Sequence, residues 1–112
     1  MPIILHHPDI EAHDAGNIVE AIADDRVERI GHAVLAVEGT RHVLAMPISD
    51  DDVLRVHTPE YWEYVQANAP DDDGEVVALD EDTYLNTNTL RAVKLSAGAA
   101  VQAADALLEG KA

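Results

Sequence analysis

The chain is 112 residues long and carries 22 acidic residues against 7 basic ones, a formal net charge of −15. It has no Cys, which excludes a disulfide framework and a thiolate zinc site. No apolar run reaches the roughly 20 residues that a membrane helix needs, and the sign of the charge opposes direct contact with nucleic-acid phosphates. The length predicts one segment, 1–112, with a core, because an apolar fraction of 47% is too high for a disordered acidic chain. Met1–Leu5 lacks the basic flank and apolar length of a signal peptide, so the expected location is the cytoplasm, away from membranes. A surface rich in carboxylates and poor in Lys fits either adaptation to high salt or an ordinary acidic protein.

Ile3, Ile4 and Leu5 predict a short buried strand within 2–7, closed by Pro8 and Asp9. Residues 8–17 read as a loop, and Ile18, Val19 and Ile22 as a short helical turn. A helix is predicted from Asp24 or Asp25 to about Glu38. Val27, Ile30, Val34 and Val37 share one face, with Asp at the cap and Gly39 at the exit. Arg41–Ile48 reads as a second strand, with His42, Leu44, Met46 and Ile48 on one side and Val43 and Ala45 on the other.

Ser49 and Asp52 form a weak capping box. Thr58-Pro59-Glu60 starts a helix that carries Tyr61, Trp62, Tyr64 and Val65 and stops before Pro70. Asp71–Gly74 is a solvated turn, and residues 75–88 read as an irregular connection. Asn88 is placed to cap a last helix reaching about Glu109. Leu90, Val93, Ala97, Val101, Ala104 and Leu108 line one of its faces, and small residues all round predict packing on several sides. The order is that of an α/β fold with two short strands and about four helices. Two strands do not complete a parallel sheet, so the sheet is expected to be incomplete.

His6, His7 and His13, with Asp9 and Asp14, are the densest set of candidate metal ligands. Their spacing matches no compact zinc motif, and His6 and His7 fall on opposite faces of a strand. His42 and His57 are isolated. No Gly-rich phosphate loop, nucleophile elbow or His-Glu-x-x-His is present, and the acidic runs at 50–52, 71–73 and 80–82 do not fit a calcium loop.

Four stretches, in order, carry a resemblance. They are His13-Asp14-Ala15-Gly16, Asp25-Arg26-Val27-Glu28-Arg29-Ile30, Val56-His57-Thr58-Pro59-Glu60-Tyr61, and Asp82-Thr83-Tyr84 leading into Leu95-Ser96-Ala97-Gly98-Ala99. Together with the closing Glu109-Gly110, they resemble the N-terminal part of the histone deacetylase and acetylpolyamine amidohydrolase family, the arginase-deacetylase fold. The sequence departs from that pattern at Ala23-Asp24-Asp25, where the family has His-Pro-Glu, and at Val27, where it has Pro.

The resemblance implies the N-terminal portion of a three-layer α/β domain that hydrolyses N-acetyl amides of lysine or polyamines with zinc, a His pair and a Tyr. The Pro-Gly-His-His strand, the zinc ligands and the Tyr of the family have no counterpart here. The segment is therefore expected to be inactive alone, with no catalytic residue and no metal ligand of its own. Asp82 and Asn88 occupy the places from which relatives accept a hydrogen bond from the substrate's backbone amide. The competing readings are a non-catalytic acidic module that self-associates as a homo-oligomer, and a His-based metal-binding protein.

Overall fold

The computed structural model describes residues 2–13, 26–81 and 83–111. Strand β1 (Ile3–His6) pairs in parallel with β2 (Arg41–Leu44), Ile3 opposite Arg41 and His6 opposite Leu44. Helix α1 (Arg26–Leu35) lies between them in sequence, as a parallel pair requires. Helices α2 (Asp50–Val53) and α3 (Pro59–Asn68) follow, then β3 (Val77–Ala78), β4 (Tyr84–Leu85) and the long α4 (Thr89–Leu108).

The local signals for the middle helices hold. Ser49 Oγ accepts from Asp52 N at 3.2 Å, and Thr58 Oγ1 accepts from Tyr61 N at 3.2 Å, with Pro59 in the first helical turn. Helix α3 ends two residues before Pro70. At the far end of α4, Gly110 takes φ +74°. Its N–H donates to Leu107 O while Lys111 N donates to Ala106 O, which satisfies the last carbonyls.

Several expectations are corrected. Residues 8–12 form a 3₁₀ turn, Pro8–Ala12, because His7 Nδ1 accepts from Asp9 N and Pro8 occupies the first position. The predicted turn at 18–22 and the capping Asp24 and Asp25 lie outside the described residues. Strand β1 is half-buried along its length, not buried. The predicted irregular connection contains the antiparallel pair β3–β4, Val77 opposite Leu85 and Ala78 opposite Tyr84. Among the described residues four strands thus stand where two were expected; two-residue strands are too short to leave a periodic pattern.

Strand β2 stops at Leu44 instead of running to Ile48, because the next residues cross α4. Ala45 N still donates to His6 O at 2.7 Å, but Met46 N donates to Gln102 Oε1 at 2.6 Å and Ile48 N to Lys94 O at 2.8 Å. Pro47, between them, has no N–H to place. Gly98 makes the crossing possible: a Cβ there would stand 1.8 Å from Met46 O.

The same crossing sets the rotation of α4. Its buried residues are Thr89, Ala92, Leu95 and Gly98, joined by half-buried Leu90, Ala99, Val101, Gln102 and Ala106. Val93 and Leu108, assigned to the inner face by apolar spacing, are exposed. Packing does not surround the helix, since Ala97, Ala100, Ala103 and Ala104 are exposed. On an Ala-rich helix apolar spacing does not distinguish the faces; the closest backbone approach does.

The small core is Ala45, Leu85, Ala92 and Leu95, with Thr89 beside it. The predicted α1 face is largely open: Ile30 and Val37 are each 56% exposed. Ile30 and Val34 line an open cavity of about 520 Å³ with Ile4, Ile10 and Ala99. On the other side of α4, Lys94 joins α2 and α3, its Nζ 3.6 Å from Asp50 Oδ1 and 5.8 Å from the centroid of the Trp62 ring, whose Nε1 donates to Asp50 Oδ1.

Candidate substrate-rim site

Helix α4 begins where the segment after β4 meets the end of the 3₁₀ turn. Asn88 stands at the cap position, but its side chain makes no capping hydrogen bond. Asn86, two residues earlier, holds the turn ahead of the helix, its Oδ1 accepting from Asn88 N at 2.8 Å and from the Thr89 hydroxyl at 3.1 Å. The cap expected of Asn88 is therefore corrected: Asn88 holds the cap position, but its side chain caps nothing. The side chain of Asn88 is left at the surface, beside a polar cleft lined by Asp73, Glu75 and Asn86. Asp82, the other predicted rim residue, lies outside the described residues.

Three polar links dock this segment onto the N-terminal one across more than seventy residues of sequence. Asn86 Nδ2 donates to Ala12 O at 3.0 Å. His13 Nδ1 lies 2.7 Å from Thr89 Oγ1, and Arg91 Nε donates to Asp9 Oδ2 at 2.7 Å. The Arg91 guanidinium holds the Asp9 carboxyl below its ordinary pKa, first through this hydrogen bond. Thr89, only 3% exposed, is the hub, since Asn86 N also donates to its Oγ1 at 2.8 Å. Sequence reading missed Asn86 and Thr89, for their roles come from partners remote in sequence.

The histidines are dispersed among different duties. His7 caps the 3₁₀ turn, His13 meets Thr89, His6 and His42 rings sit edge to face at 6.1 Å, and His57 stacks on Tyr61. Among the described residues no three His, Asp or Glu side chains converge as metal ligands.

A parallel strand pair with a helical crossover, backed by a long helix whose N-terminus meets the 3₁₀ turn, forms one side of a layered α/β domain. The family description "histone deacetylase domain" matches residues 20–112. A histone deacetylase-like amidohydrolase of Pseudomonas aeruginosa is 38% identical over 68 residues, which is 61% of this chain and 17% of that protein. The crystal structure of the HDA15 HD domain superposes with a TM-score of 0.76 at 22% identity, covering 100% of this chain and 33% of that one. The chain belongs to the histone deacetylase family, and its architecture is part of the arginase-deacetylase fold. It spans about a third of the solved domain it matches.

Proposed function

We propose that this chain provides the N-terminal part of a zinc-dependent deacetylase-like amidohydrolase domain acting on N-acetyl amides of lysine or polyamines. The observation that carries the reading is the docking of the His13 end of the first loop onto Asn86–Thr89. Asn86–Thr89 closes the loop to which the family resemblance gives the substrate rim, and it meets the end of the 3₁₀ turn at one end of α4. In this reading Asn88, and Asp82 in the same loop, accept hydrogen bonds from the substrate's backbone amide. Zinc, which polarises the acetyl carbonyl and activates water in such a domain, is held by groups other than those described in this chain.

The test has two arms. The purified chain with zinc and a fluorogenic acetyl-lysine substrate gives no turnover; clear zinc-dependent turnover would overturn its proposed dependence on other groups. Grafted in place of the matching segment of the Pseudomonas aeruginosa relative, it supports zinc-dependent deacetylation. A folded but inactive graft counts against the rim reading.

A second reading, self-association of a non-catalytic acidic module, is favoured by one observation. Ile30, Val34, Val37, Leu44 and Met46 are all exposed on or near the two-stranded sheet. Sedimentation decides it: a concentration-independent monomer eliminates the module as an oligomer.

A further inference from the structure

The contacts around Thr89 can be balanced proton by proton, and the balance assigns the state of His13. Asn86 Nδ2 donates to Ala12 O, which fixes the amide so that Oδ1 is an acceptor facing α4. That Oδ1 accepts from Asn88 N and stands 3.1 Å from Thr89 Oγ1. Thr89 Oγ1 donates across this contact, because Asn86 Oδ1 carries no proton. The Thr89 hydroxyl proton is therefore committed to Asn86.

Thr89 Oγ1 already accepts from Asn86 N at 2.8 Å. Its remaining lone pair faces His13 Nδ1 at 2.7 Å. The proton in that contact has to come from the imidazole. Any other assignment leaves either the oxygen pair or the His13 contact without a proton, in a place where Thr89 is shielded from water.

We infer that His13 is held with its proton on Nδ1, and that His13, Asn86 and Thr89 act together as positioning residues that set the 83–88 segment against the end of the 3₁₀ turn. The assignment of the proton stands on geometry alone. Its consequence for substrate rests on the rim reading above. None of the three need touch substrate: they act through the placement of Asn88, whose backbone N–H is tied to Asn86.

Nitrogen-15 NMR of the histidine-labelled chain at mildly alkaline pH, where imidazole is neutral, tests the assignment. The expected spectrum has a protonated Nδ1 and an unprotonated Nε2 for His13. An unprotonated Nδ1 in the wild-type chain overturns the proposal outright. Thr89→Val is expected to release that tautomer and to speed amide exchange at Asn86 and Asn88 by about tenfold, the scale of one lost hydrogen bond. Exchange at Ala45 and Ile48, in the packed centre, stays unchanged, and Thr89→Ser restores all wild-type signals.

Unaltered exchange at Asn86 and Asn88 in Thr89→Val also overturns it, as does a Thr89→Ser chain that loses the Nδ1–H signal. Should Thr89→Val not fold, the wild-type and Thr89→Ser spectra still decide. In the grafted domain, Thr89→Val is expected to raise KM several-fold with kcat held. An unchanged KM beside a confirmed Nδ1–H tautomer removes the rim reading and leaves the proton assignment standing.

Discussion

Gly98 and Asn88 show how single side chains divide structural from functional duty along α4. A methyl group at position 98 would overlap the backbone of Met46 and crowd Ile48 N, neither of which can move as a flexible side chain would. Gly98→Ala is expected to destabilise the chain by about 1–3 kcal/mol or more, against the small gain Ala normally brings to a helix. A lowered denaturant midpoint with unchanged slope would confirm it. Asn88 is the opposite case. Its side chain caps nothing, so Asn88→Ala should leave the thermal midpoint nearly unchanged while raising KM in the grafted domain. A large loss of stability would return Asn88 to a structural role.

Asp9 adds a pH dependence whose sign follows from its lowered pKa. The Arg91 link contributes fully above the ordinary carboxylate range and is lost as pH falls through the depressed value. Carbon-13 titration of the Asp9 carboxyl should give a midpoint below that of an unpaired Asp. In Arg91→Ala it should return to the ordinary one. The Asp9 side chain is about half exposed, so the effect is on local docking of the 3₁₀ turn rather than on global stability.

At the scale of elements, the caps were legible and the faces were not. Ser49 and Thr58 act within three residues of themselves, so their chemistry is written locally. Thr58→Ala should cost about 1 kcal/mol, seen as a lower thermal midpoint and faster amide exchange in the first turn of α3. The inward face of α4 and the end of β2 depend on one event, the passage of residues 45–48 across the helix. Apolar spacing pointed to Val93 and Leu108, both of which face solvent. The hairpin of β3 and β4 escaped notice because its strands hold two residues each. Its register is set by pairing, not by composition.

The whole molecule combines a small core with a net charge of −15. Repulsion among carboxylates opposes compaction, and salt screens it over a Debye length of about 8 Å at physiological ionic strength. Added sodium chloride should therefore raise the melting temperature; a flat or falling curve would show that the charges are already compensated. The sequence by itself determined what depends on near neighbours and composition: an α/β order, three helix starts or stops, the absence of thiolate chemistry, and motifs specific enough to indicate the deacetylase family. Only the tertiary structure decided which face of α4 is buried. It also decided that His13, Asn86 and Thr89 form one network. Those facts rest on contacts between residues seventy or more apart, or on a backbone crossing at Gly98. Chain folding creates such contacts, and no local periodicity encodes them.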